Sequence, residues 1–158
     1  MANTFRLQVV TPEGELLNED VAELLAPGFR GEFGVLPGHA RYVTALGVGE
    51  LRYKDTNGAS HSLAVARGFA EVAQDHVTIL AQTAEIAEQI DVARAEAAVR
   101  RAEQIIAEPD DESDIGRATQ ALERSMARLR VAKARGVKAP RATIQTTETA
   151  IPGEARQD

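Results

Sequence analysis

Apolar and polar positions follow two different rhythms along this chain, and the change falls near residue 87. From residue 4 to about 84 the apolar residues come in short, β-rich runs: Phe5 to Val10, Val21 to Ala26, Arg41 to Leu46, Glu50 to Tyr53, Ser62 to Val65, Phe69 to Ala73 and Val77 to Leu80. Between them stand Pro12-Glu13-Gly14, Pro27-Gly28, Pro37-Gly38, Asn57-Gly58 and Gln74-Asp75-His76. Short strands punctuated by such turn residues predict an all-β sandwich or barrel. Lys54 to Gly58 reads as a hairpin tip, because Asn-Gly tolerates positive φ.

Beyond about Ala87 the period becomes 3.6, with Val92, Ala95, Val99, Ala102 and Ile106 on one stripe of a first helix. Glu108-Pro109-Asp110-Asp111 interrupts it. Ser113 is placed to cap a second helix, whose stripe is Ala118, Leu122, Ser125, Leu129 and Ala132 and which ends before Gly136. The expected fold class is β + α: an N-terminal antiparallel β-sandwich over residues 1–86, then a C-terminal antiparallel two-helix hairpin over 87–136. Residues 137–158 are polar, broken by prolines and without a usable period, and read as a disordered tail. The alanine and serine seam supplies few methylenes, each worth about 0.8 kcal/mol when buried. A hairpin held so weakly can open or re-dock at modest cost, which suits a switch better than a rigid scaffold.

Composition narrows the functions. A chain of 158 residues holds one core and an appendage, and with no cysteine it has neither disulfides nor thiolate chemistry. No run approaches the roughly 18 apolar residues of a membrane span and no targeting leader is evident, so a soluble chain without direct membrane insertion is expected. A net charge of −6 disfavours nucleic acid as a partner. The charge is uneven, however: Arg117, Arg124, Arg128, Arg130, Lys133, Arg135 and Lys138 crowd the second helix and its end, and a basic helix on an acidic protein implies an acidic partner.

Candidate chemistry is sparse. Arg30 to Ala40 reads as a loop with several positions open to positive φ and an apolar plug, Val35-Leu36; it carries no phosphate-binding motif, and its residues alone favour a structural turn over a binding loop. His39, His61 and His76 lie far apart, so no metal site is expected. Ser60, Ser62, Ser113 and Ser125 lack a nucleophile context, and Asp110 to Asp114 lacks calcium-loop spacing. Asp91 is favoured at a helix N-terminus by the dipole alone. Arg124 and Arg128, four apart, share a helix face and could grip a phosphate or simply face water.

Thr11-Pro12-Glu13-Gly14, the string Gly31 to Ala40, Gly68-Phe69-Ala70-Glu71-Val72, Asp75 to Ala81 and Ile90-Asp91-Val92-Ala93-Arg94-Ala95 stand in the order and spacing of ATP synthase epsilon subunits, which the chain resembles from about residue 4 to 135. The resemblance implies a non-catalytic rotor subunit of the central stalk of a proton-translocating synthase, peripheral on the cytoplasmic face of a bacterial membrane. It implies contacts with the gamma subunit, with the membrane ring through Glu32, Val35, Leu36, Pro37, Gly38 and His39, and with the alpha and beta subunits of the catalytic head. In the family the hairpin lies folded on the sandwich or extends and inhibits ATP hydrolysis. Arg117, Arg124, Arg128, Arg130 and Lys133 match the residues that then meet an acidic segment of a beta subunit. No cofactor is required, but the resemblance implies ATP as a regulatory ligand of the folded hairpin, held by Ile90, Asp91, Arg94, Ala95, Arg101, Arg124 and Arg128. The chain departs from the family at Arg67, where a glycine usually precedes Gly68, and beyond residue 136. A competing reading is a free-standing ATP-binding sensor that uses the same arginines without an assembly.

Overall fold

The computed structural model describes residues 3–136. The expected tail, 137–158, lies outside the described residues. Six strands come first: β1 (Phe5–Thr11), β2 (Gly14–Gly28), β3 (Gly31–Val35), β4 (Tyr42–Asp55), β5 (Ser60–Val72) and β6 (His76–Ile86). A 3-10 turn at Ala87–Gln89 leads to α1 (Val92–Ala107) and α2 (Glu112–Ala134).

The strand order is β1-β6-β5-β4-β2-β3, and β1 pairs with β2 as well, so the sheet closes on itself into a barrel with β3 outside the closure. Alternation drives this: Phe5, Leu7 and Val9 of β1 point into the core while Arg6 and Gln8 do not. Leu7, Leu24, Leu51, Leu63, Ile79 and the valines among them are fully buried. The β-domain followed by two helices agrees with the expected class. One pairing is not antiparallel, since β1 runs parallel to β6, from Arg6↔His76 to Val10↔Leu80.

The sequence runs and the strands differ instructively. Arg41–Leu46 and Glu50–Tyr53 belong to one strand, β4, and Ser62–Val65 and Phe69–Ala73 to β5, although Arg41 lies just before the start of β4 and Ala73 just beyond the end of β5. Leu46 and Leu51 both face the core, as do Leu63, Val65, Ala70 and Val72. These spacings include an odd step, so each strand changes the face it gives to the core near Gly47–Gly49 and Ala66–Gly68. The β4–β5 register continues through that point, Leu46↔Gly68 and Val48↔Ala66, so the strands bend together. Arg67 and Gly68 form the bend with φ of 56° and 125°. A Cβ on Gly68 would collide with the Leu80 carbonyl oxygen, which leaves glycine as the residue that fits.

The string read as a loop is half strand: Gly31–Val35 is β3, paired from Gly28↔Gly31 to Leu24↔Val35. Arg30 belongs to the β2–β3 turn, and the chain turns again after Val35, with the His39 N–H donating to the Leu36 carbonyl at 3.1 Å. Of the expected plug, Val35 is buried in the core whereas Leu36 is 61% exposed.

Asp91 caps α1, accepting from the Arg94 N–H at 2.9 Å. The cap of α2 is Asp111 and not Ser113: the Asp111 carboxylate accepts from the Ser113 N–H at 3.2 Å, two residues earlier than the sequence reading placed it. The hairpin seam is small-residued, with Ala95, Ala102, Ala118 and Ser125 buried, while Ala127 is buried on the face of α2 that also carries Val131. Where α2 meets the barrel, Val131 and Ala132 pack with Ala64, Ala87 and Ile90 in a cluster separate from the barrel core.

Candidate functional site

Folding the hairpin onto the barrel creates a cleft of about 710 Å³. Its walls come from three pieces of chain: the β1–β2 turn and the following strand (Thr11, Glu13, Leu16), the end of β6 (Thr83, Ala84, Glu85) and the facing sides of α1 and α2. Six of the seven residues expected to hold ATP line it, namely Asp91, Arg94, Ala95, Arg101, Arg124 and Arg128. Ile90, the seventh, does not; it is buried in the small cluster under α2.

The electrostatics of the cleft are mixed. Arg128 Nε donates to Glu85 Oε2 at 2.8 Å, a half-buried ion pair between α2 and β6. Asp91 Oδ1 is engaged as the α1 cap. Among the described residues, Arg94, Arg101 and Arg124 have no carboxylate within ion-pair distance. Three guanidiniums lining one cleft without an ion-pair partner suit a polyanion, since arginine donates in a planar fork that matches phosphate oxygens, although the carboxylates of Glu13, Glu85 and Asp91 share the wall. Glu85 and Glu13 escaped the sequence reading. Neither belongs to a motif, Glu13 standing in an exposed turn and Glu85 at the half-buried end of β6, and the folded hairpin lays the helices beside them.

Other contacts hold α2 to the barrel. Arg67 of β5 lies 3.5 Å from Glu123. Near its C-terminal end, Arg135 donates from Nε and Nη2 to Ser62 Oγ at 3.0 and 2.9 Å. Ser62 in turn donates to Glu50 Oε1 at 2.6 Å. The basic residues of α2 divide by face: Arg124 and Arg128 look into the cleft, while Arg117, Arg130 and Lys133 are exposed, Arg117 being paired with Asp114 at 2.7 Å.

In the β3–β4 region, Glu32 is exposed and 3.5 Å from Arg52, Leu36 and Gly38 are exposed, Pro37 and His39 are half-buried, and the His39 ring lies 6.5 Å from that of Tyr42. Val35, expected among the surface contacts here, belongs to the core. A second apolar surface lies on the barrel wall. Phe69 pairs with Ala45 and Leu80, Leu80 with Val10, and Val43 sits one step along the same face; Val43, Phe69 and Leu80 are each more than half exposed. Phe29, whose N–H donates to the Ala45 carbonyl at 2.9 Å, extends the patch and is 78% exposed. Among the described residues no group of His, Asp and Glu is arranged to hold a metal, and no helix is long and apolar enough to cross a membrane.

Comparison with known proteins adds an independent line. Residues 4–87 match the family model of the ATP synthase, Delta/Epsilon chain, beta-sandwich domain, and residues 88–133 that of its long alpha-helix domain. A protein named ATP synthase epsilon chain from Nitratidesulfovibrio vulgaris is 48% identical over 131 residues, covering 83% of this chain and 97% of that one. The epsilon chain of Syntrophobacter fumaroxidans is 49% identical over 133 residues, covering 84% and 98%. Among solved structures, a chain of the Euglena gracilis mitochondrial ATP synthase, OSCP/F1/c-ring, superposes with a TM-score of 0.71 at 25% identity over 86% of this chain and 82% of its own. A chain of the Tetrahymena thermophila mitochondrial ATP synthase central stalk and c-ring shares the fold, with a TM-score of 0.53 at 15% identity over 81% and 96%.

Proposed function

The chain belongs to the ATP synthase delta/epsilon chain family as an epsilon subunit, a non-catalytic part of the central stalk, and we propose that its hairpin is a nucleotide-sensitive brake on that rotor. In this reading the barrel couples and the hairpin regulates. The exposed patch of Phe29, Val43, Phe69 and Leu80 packs on the gamma subunit, as contiguous apolar surface on a small protein marks a protein contact. The turn from Leu36 to His39, with Glu32, rests on the membrane ring, which puts the subunit at the cytoplasmic face of a bacterial membrane. When the hairpin extends, Arg117, Arg130 and Lys133, joined by Arg124 and Arg128 once these leave the cleft, meet an acidic segment of a beta subunit and stop hydrolysis of ATP.

ATP opposes extension by binding the cleft. The observation that carries this is the cleft's composite wall: Arg94 and Arg101 come from α1, Arg124 and Arg128 from α2 and Glu85 from β6, so the site exists only while the hairpin is folded. A ligand that recognises one of two forms stabilises that form by its differential affinity. Arg128 keeps free Nη donors while its Nε serves Glu85, so the ion pair need not break for it to reach a phosphate. Titration calorimetry of the whole chain with ATP tests the reading. Heat of binding is expected for the parent and its loss in Arg94→Ala and Arg124→Ala; no heat for the parent at millimolar ATP overturns nucleotide control and leaves the arginines the inhibitory contact alone. The apolar patch favours an assembled subunit over a free-standing ATP sensor, and co-purification with gamma separates the two.

A further inference from the structure

We infer that Ser62 is the keeper of a second lock on the folded hairpin, one that works without nucleotide. The inference rests on the reading that the hairpin leaves the barrel, and adds what holds it there when the cleft is empty.

A serine hydroxyl has one proton to donate and two lone pairs to accept with. At Ser62 all are in use: the proton goes to Glu50 Oε1 at 2.6 Å, and the lone pairs take Nε–H and Nη2–H of Arg135 at 3.0 and 2.9 Å. Arg135 and Glu50 are thus an ion pair bridged by a hydroxyl, joining the C-terminal end of α2 to adjacent strands of the barrel. Ser62 is 1% exposed. Beneath α2 it stands in a row of small side chains with Ala64 and Ala66 on the face of β5 turned from the core, so the helix approaches closely enough for the guanidinium to reach it. None of these three residues lines the arginine cleft.

Geometry makes the network a lock and not a decoration of the surface. Arg135 ends the helix, where Gly136 turns the chain at φ 69°, and its own N–H closes the last turn on the Val131 and Ala132 carbonyls. Those two residues are the ones that α2 buries against Ala64 and Ile90. Lifting the end of α2 therefore breaks the polar bridge and opens the small apolar cluster in one movement. Glu123–Arg67 and Arg128–Glu85 hold the helix further towards its N-terminus, so release proceeds most readily from the end that Ser62 secures once the bridge is gone.

Amide hydrogen exchange on the intact chain, without nucleotide, tests this. In Ser62→Ala, exchange of the last turns of α2 (residues 125–135) should quicken about tenfold or more, in keeping with loss of hydrogen bonds to a charged group, while the core strands around Leu7 and Ile79 keep their protection. Glu50→Gln keeps an acceptor but removes the charge and should give a smaller increase. Arg135→Lys keeps the charge but offers its donors from a single nitrogen and should recover part of the protection that Arg135→Ala loses. Unchanged exchange in both Ser62→Ala and Arg135→Ala overturns the lock, and so does an equal loss of protection in the barrel strands, which would make Ser62 a packing residue of the sheet. Hydrolysis by the assembled synthase carrying Ser62→Ala is the separate control: faster exchange with unaltered hydrolysis leaves the lock standing and sinks the regulatory reading of the hairpin.

Discussion

At Arg67 the backbone is left-handed, with φ at 56°. That conformation costs a residue with a Cβ about 1–2 kcal/mol. The Arg67–Glu123 pair is largely open to water, and such pairs return at most about 1 kcal/mol. Strain and ion pair therefore nearly offset one another, and Arg67→Gly should change the unfolding free energy by no more than about 1 kcal/mol in a urea titration, although it releases a contact to α2. Gly68→Ala should cost about 3 kcal/mol or more in the same measurement, because the new methyl meets the Leu80 carbonyl and nothing flexible can move aside. Asp55 gives a pH-dependent counterpart at the β4–β5 tip. The His61 ring at 2.8 Å, then the Ala59 and Asn57 N–H groups, hold its carboxyl below the ordinary carboxylate value. A depressed folded value contributes stability that is complete above the unfolded value and lost as pH falls through the folded one. Protection of the Asn57 and Ala59 amides should thus persist down to the ordinary carboxylate range, about pH 4, and decline below it; in Asp55→Asn that acid step should vanish.

Among the elements, α1 carries an ambiguity that mutagenesis must respect. Asp91 lines the cleft and also caps the helix, so Asp91→Ala removes a cap worth about 1 kcal/mol as well as any ligand contact. Asp91→Ser retains a capping oxygen without the charge. If the cap is what matters to ATP, calorimetry should give near-parent affinity for the serine variant and weaker binding for alanine. The elements also show why some of the fold was legible and some was not. Helices were readable because their alanine stripes repeat over several turns, and β1 because Phe5, Leu7 and Val9 alternate cleanly. β4 and β5 looked like two strands each because alternation changes phase at Gly47–Gly49 and Ala66–Gly68, which a period-2 pattern registers as an end. β3 looked like a loop because Gly31-Glu32-Phe33-Gly34-Val35 has two glycines and one core residue. The Ser113 cap was misplaced by two residues since Asp111 supplies an equally good oxygen just upstream.

For the molecule as a whole, the barrel has its own core and the helices add only a small cluster to it. A fragment ending at Ile90 should fold, with a melting temperature within about 10 °C of the intact chain by calorimetry, and should retain gamma binding in a pull-down. Barrel closure was invisible along the sequence: the parallel β1–β6 pairing joins Arg6 to His76, and no local pattern encodes a partner so remote. The cleft shared that fate in part. Its arginines could be placed by spacing and resemblance, but Glu85, Glu13 and the Ser62 bridge become neighbours of the helices only after the barrel closes and the hairpin lies down.

That pairing also sets a timetable for a chain made from its N-terminus. Until His76 to Leu80 have left the ribosome, β1 has β2 to hold it but lacks its other neighbour, and the barrel stands open along one seam. The last strand to be synthesised is the one that shuts it. The two helices follow, so α2 reaches a barrel whose wall, with Ser62 and Glu50 already fixed in register, is finished. The two helices are thus made after the surface on which they lie.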